Sequence, residues 1–172
     1  RTLTPQRLVP LAGYGRRGGK PAAGVHDEPQ VRALVLRQGD TTVALASCDL
    51  LIIDEDLFGA VEGRLRAAGF PPATLLIAAT HTHSGPGAYG RMFFEKISMG
   101  HFDPQVFDFL SGQIAGAIQE AAAQLRPAEV AAGEIPTEGL VKNRVVEGGP
   151  VDDVLRLVLV SEPGQPNPIA VV

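Results

Sequence analysis

The chain has 172 residues, of which 45% are hydrophobic and 20% charged, and its formal net charge is -4. That length suits one domain or a piece of a larger one, and the composition allows a sizeable buried core. The acidic balance and the lack of any lysine- or arginine-rich run argue against a nucleic-acid partner. No apolar stretch approaches the roughly 18 residues of a membrane span.

Residues 1–30 are rich in Gly, Pro and Arg and show no clean periodicity. Within them Gly13-Tyr14-Gly15-Arg16-Arg17-Gly18 matches the dinucleotide pattern G-x-G-x-x-G by letter. The context is wrong: Leu8-Val9-Pro10 is a poor central strand, and Gly19-Lys20-Pro21 cannot open a helix. A flexible Gly-Arg loop is the better reading. No signal peptide is visible, but the chain starts at Arg1 rather than Met, so this says little about a leader.

Residues 31–36 and 42–48 read as strands joined by the turn Gln38-Gly39-Asp40. The single cysteine, Cys48, cannot form an internal disulfide and reads as a small buried hydrophobe. Asp54 is a candidate N-cap for a helix over 55–68, with Gly69 and Pro71 beyond its end. Leu57, Phe58, Val61 and Leu65 follow helical spacing. Residues 74–80 form a continuous apolar run, predicted to be a strand buried on both faces. Strand, helix and strand in this order predict a βαβ unit with a right-handed crossover.

At the end of that run stands Ala79-Thr80-His81-Thr82-His83-Ser84-Gly85-Pro86-Gly87. If the strand continues, positions i and i+2 share a face, and both imidazoles enter one pocket. Imidazole serves as a zinc ligand and as a general base near neutral pH. By spacing alone, two hydrogen-bonded histidines in a polar pocket explain the pair as well as a metal does. Thr80, Thr82 and Ser84 offer hydroxyls that could orient the rings. Gly85 permits a tight turn beside a ligand. The carboxyl end of a buried strand is also where open α/β sheets place their sites.

Residues 89–102 read as a long loop carrying Met92, Phe93, Phe94, Ile97, Met99 and Phe102, a lid or pocket wall. Pro104 opens a second helix, running to about Gln124, with one apolar stripe from Val106 to Leu125. Residues 128–135 are predicted to be a strand completing a second βαβ unit. Residues 154–160 and 169–172 are predicted to form a hairpin around 163–166. The chain stops inside the last apolar run, which predicts that it is the N-terminal part of something longer.

Among the remaining polar residues, Asp49 ends the strand over 42–48, where its carboxylate could reach the pocket or cap a turn. Asp103 reads as the N-cap of the second helix. His26 and His101 read as surface or turn residues. Arg144, after a Gly-rich turn, is either simply exposed or holds a substrate oxygen or carboxylate.

Taken together, the stretch 79–87 resembles the signature of the neutral/alkaline (non-lysosomal) ceramidases. Ala12-Gly13-Tyr14 with Gly24-Val25-His26-Asp27 resembles that family's N-terminal loop. Ala46-Ser47-Cys48-Asp49-Leu50, Phe102-Asp103, and Asn143-Arg144 before Val151-Asp152 match in order. The similarity runs along essentially all of residues 1–172.

The resemblance implies an α/β fold with a mixed sheet, βαβ units and flanking helices, as an incomplete catalytic domain. It implies a zinc-dependent amidase that cleaves the N-acyl bond of ceramide to sphingosine and fatty acid. His81 would be a zinc ligand, with His83 and Arg144 in the active site and Ser84, Gly85 and Tyr89 as substrate contacts. The other family ligands, a second His and later a Glu and a Tyr, are expected beyond Val172, so these 172 residues alone are expected to be inactive and to bind zinc weakly. Secretion or residence in the cell envelope, peripheral membrane contact in the full-length protein, and no protein partner also follow from the resemblance. Two further readings are a related metal hydrolase acting on another amide or ester, and a non-catalytic α/β binding module with a vestigial histidine pair.

Overall fold

The structure, a computed structural model, describes residues 1–165 and 167–171. It divides into two compact units, Arg1–Leu125 and Arg126–Val172.

In the first unit, β1 (Val31–Gln38) and β2 (Thr41–Cys48) form an antiparallel hairpin in which Val31 stands opposite Cys48. Helix α1 (Glu55–Ala67) follows. The Asp54 carboxylate accepts from the Leu57 amide at 2.7 Å, occupying one of the orphan donors of the first turn. Glu55 and Asp56 sit at its positive end and Arg64 and Arg66 at its negative end, each favourable to the helix dipole. Strand β3 (Thr74–Ala79) then returns parallel to β2, with Ala79 level with Cys48. Thus β2, α1 and β3 form the expected βαβ unit, and one parallel and one antiparallel pairing make the sheet mixed.

Helix α3 (Pro104–Ala123) packs on β1, β2 and α1. Its capping follows from the sequence: Asp103 accepts from the Gln105 amide at 2.9 Å, and Pro104 occupies the first turn, where its missing N–H costs nothing. Val106, Leu110, Ile114 and Ile118 recur at helical spacing and are buried with Leu57, Val61 and Leu65 of α1 over Val31, Val35, Ala44, Ala46 and Cys48. Each such side chain contributes about 1.5–3 kcal/mol relative to exposure. Burial pushes the Cys48 thiol up to about 12, with the neighbouring Asp49 charge as a smaller cause.

Three expectations are corrected. β3 is not buried on both faces: it is the edge of the order β1-β2-β3, and Leu76 is 55% exposed. An apolar run reports that a strand can be buried, not that this stretch of chain supplies the cover. The segment 89–102 is not all loop, because α2 (Phe93–Met99) lies inside it, opened by Glu95 accepting from the Met92 amide at 2.7 Å. A seven-residue helix is too short to show a reliable 3.6-residue period. The second βαβ unit does not form. β4 (Glu129–Pro136) pairs antiparallel with β5 (Val154–Ser161) in a separate sheet, and β6 (Pro168–Val171) completes the order β4-β5-β6. Strand–helix–strand spacing leaves the choice of sheet open, and β5 offers β4 a full eight-residue ladder. The hairpin of β5 and β6 agrees with expectation, apart from Pro166 and Val172, which lie outside the described residues. No described helix is long and apolar enough to cross a membrane.

Candidate functional site

Parallel pairing puts the carboxyl ends of β2 and β3 side by side, and the Thr80 amide extends the ladder by donating to Cys48 O at 2.9 Å. The chain then leaves the sheet at His81, which has φ of 60°. That left-handed conformation is unusual for a non-glycine residue. The two histidines therefore do not share a strand face, as simple i, i+2 alternation predicted. The strand ends at Ala79, and a turn brings the rings together, edge to face, with centroids 5.1 Å apart.

The two imidazoles are held differently. His81 Nδ1 lies 2.8 Å from the Leu51 carbonyl oxygen, in the loop after β2. A carbonyl only accepts, so Nδ1 carries the proton and the Nε2 lone pair is left available. His81 is exposed. A ring oriented by a backbone carbonyl and presenting an open nitrogen is the arrangement found at metal-ligating histidines. His83 is half-buried, and its Nδ1 has no hydrogen-bond partner among the described residues. Contacts alone fix its ring: the Tyr14 ring meets it edge-on at 4.6 Å, and Gly13 lies directly against it. A Cβ on Gly13 would stand 2.4 Å from His83 Cγ, and the residue has φ of 107°, so position 13 requires glycine on two counts.

The candidate substrate contacts separate. Ser84 is exposed at the mouth of a cavity of about 360 Å³ shared with Arg7, Leu8, Val25, His26 and Asp27. Gly85 is buried: its carbonyl accepts from the Ala12 amide at 3.1 Å, and a Cβ there would stand 2.8 Å from Asp49 O. It is a close-packing residue of the turn rather than an open contact. Tyr89 is fully buried, donating its hydroxyl to Ile52 O at 3.0 Å and accepting from Ile52 N at 3.3 Å. Burial pushes the Tyr89 phenol up to about 12. These two bonds latch the loop that carries Leu51, the residue whose carbonyl orients His81.

Other candidates fall where their local bonds put them. The Asp49 carboxylate accepts from the Gln30 amide at 3.0 Å and lies 3.6 Å from Arg32, engaged at the start of β1 rather than with the histidines. Asp103 is the N-cap expected, and it also pairs with Arg7. His26 bonds Asp27 at 2.8 Å on an exposed loop, and His101 is exposed. The Thr82 hydroxyl accepts from the Ser84 amide at 3.2 Å, shaping the turn instead of orienting a ring. Arg144 belongs to the second unit, exposed in a turn that Asn143 organises by accepting from the amides of Val145 and Val146 at 2.9 and 3.0 Å. No cluster of three or more His, Cys, Asp or Glu fit to hold a metal occurs among the described residues. The histidine pair thus fits part of a zinc site but not a whole one, since structural and catalytic zinc takes at least three protein ligands.

The glycine-rich segment 13–18 is the neighbour that sequence reasoning set aside. It forms a short 3-10 turn (Gly15–Arg17) whose N-terminal flank walls the His83 ring. The excluded nucleotide motif concealed it, and the only pointer was its likeness to an N-terminal family loop.

Fold and site together define an α/β protein with a two-histidine centre at the carboxyl ends of parallel strands. The chain belongs to the neutral/alkaline non-lysosomal ceramidase family, whose N-terminal description it matches over residues 5–147. It is 29% identical over 141 residues to the neutral ceramidase of Mycobacterium tuberculosis (strain ATCC 25618 / H37Rv), covering 78% of this chain and 22% of that protein. To the neutral ceramidase of Pseudomonas aeruginosa it is 28% identical over 141 residues, with 79% and 21% covered. Two solved structures share the fold. "Ceramidase complexed with C2" has a TM-score of 0.80 at 24% identity, and the P. aeruginosa neutral ceramidase has 0.79 at 23%. Each comparison covers 94% of this chain and 28% of the other. The chain thus spans about a fifth of the length of the curated relatives it matches.

Proposed function

We propose that the chain is the N-terminal portion of the catalytic domain of a zinc-dependent amidase that cleaves the N-acyl bond of ceramide or a closely similar lipid amide. The observation that carries this reading is the His81 Nδ1 bond to Leu51 O, which leaves Nε2 available as a ligand. In this reading His81 holds the metal, and ligands from the rest of a longer protein complete the site. When bound, zinc supplies a Lewis acid that polarises the amide carbonyl and makes hydroxide accessible near neutral pH. His83, 5.1 Å from His81 between centroids, holds or passes a proton beside the reacting carbonyl. Ser84, open to solvent, contacts polar atoms of the substrate.

The exposed side chains of Met92, Phe93, Phe94 and Ile97, each more than half accessible, suit contact with an acyl chain or with the lipid surface that presents it. The test is elemental analysis of the full-length protein and its His81→Ala variant. The wild type should carry zinc and the variant lose most of it, together with hydrolysis of an N-acyl sphingosine. Equal zinc content in the two would overturn the ligand assignment.

A further inference from the structure

The guanidinium of Arg17 lies where three separate contacts converge on His83. Its Nη1 donates to the His83 carbonyl oxygen at 2.7 Å and to Ala12 O at 3.3 Å. Its Cζ sits 4.8 Å from the centroid of the Tyr14 ring, and that ring in turn meets the His83 imidazole edge-on at 4.6 Å. Gly13, which follows Ala12 in the chain, is the residue packed against the imidazole itself. One planar cation therefore ties the backbone beneath His83 to the loop above it and braces the aromatic ring at its side. Arginine is suited to this because one guanidinium nitrogen carries two N–H donors, one for each carbonyl, while the planar face lies over an aromatic ring.

The need for such a clamp follows from a contrast between the two histidines. His81 has a hydrogen bond on its ring, to Leu51 O. His83 Nδ1 is buried without one, so no hydrogen bond there sets the ring's orientation. The wall that does so is a glycine-rich loop, the kind of segment that is mobile unless tied down. It is stitched by the Ala12 amide to Gly85 O at 3.1 Å and by the Gly13 amide to Ser98 O at 2.8 Å, and Arg17 closes the remaining side.

We propose that Arg17 is a positioning residue for His83, holding the Gly13–Tyr14 wall against the imidazole so that the ring keeps one orientation beside His81. This rests on the reading of His83 as an active-site group, and two readouts separate the proposal from that reading. The first is the ring itself: histidine side-chain 15N NMR of the full-length protein should show one ordered His83 ring in the wild type and a broadened or averaged one in Arg17→Met. The second is turnover of an N-acyl sphingosine. Arg17→Met should lower kcat about tenfold, as sub-ångström misplacement of a reacting group does, with KM within about twofold. Free guanidinium should restore part of the loss, and Arg17→Lys should fall between the two because it keeps the charge and donors but loses the planar face over Tyr14. A His83 ring as ordered in Arg17→Met as in the wild type would overturn the proposal whatever the activity. So would a kcat loss that guanidinium leaves untouched. If His83→Ala instead turns over at the wild-type rate, the catalytic reading of His83 fails, and the NMR comparison still decides what Arg17 does.

Discussion

The first unit buries its sheet, whereas the second leaves its opening strand in solvent. Helix α3 packs over β1 and β2, and α1 packs on α3; Leu57, Val61, Leu65, Leu110, Ile114 and Ile118 are all wholly inaccessible. In the second unit all eight residues of β4 are exposed, Val130, Ile135 and Leu155 keep about half of their surface in solvent, and Val160 is fully covered. The backbone ladders of the two sheets are comparably long, so pairing does not distinguish them. Cover does: the hydrophobic effect scales with apolar area removed from water, and strand pairing alone contributes little net free energy. The histidine loop grows from the packed unit, and precise placement of side chains depends on a packed scaffold.

The strongest attempt to break this contrast is truncation of equivalent apolar residues in each unit. Leu110→Ala should cost about 2–5 kcal/mol, as fully buried leucines do, while Val130→Ala at 55% exposure should stay within about 0.5 kcal/mol. Chemical denaturation measures both, and similar losses would show that β4 is covered in solution.

Alkaline pH sharpens the contrast from another side. The Cys48 thiol and Tyr89 phenol both rise to about 12 on folding, from ordinary values of 9.0 and 10.0. A group whose folded pKa is raised contributes stability that is complete below its unfolded value and disappears as pH climbs to the folded one. The first unit should therefore lose on the order of a few kcal/mol between pH 9 and 12. Cys48→Ala and Tyr89→Phe should each flatten that loss even where they lower stability at neutral pH. A pH-independent melting temperature across the window would contradict the burial of both groups.

The smallest expected effect lies in the second unit. Arg156 pairs with Asp152 at 2.8 Å and with Glu134 at 3.4 Å, and all three side chains are at least 62% exposed. Such pairs are heavily screened, so Arg156→Ala should barely move an unfolding midpoint, and added salt should erase the difference. A large, salt-resistant loss would mean that this surface is buried in solution.

Local chemistry by itself determined where the two long helices and the strands lie. Asp54 and Asp103 cap the helices they precede, and apolar periodicity marked α1 and α3 to within a residue or two. The apolar runs located the strands, and the cluster 79–87 marked the candidate site. These signals are legible because caps, turns and periodicity act over a few residues.

Only the tertiary structure decided which sheet β4 joins, that β3 is an edge, and that a short helix interrupts the loop after Tyr89. It also decided that His81 leaves the strand in a left-handed turn, that Gly85 and Tyr89 are buried supports, and that Gly13, Tyr14 and Arg17 wall in His83. Each of these depends on partners up to 70 residues distant in sequence, such as Arg17 on the carbonyl of His83, and no local propensity encodes which distant group will arrive.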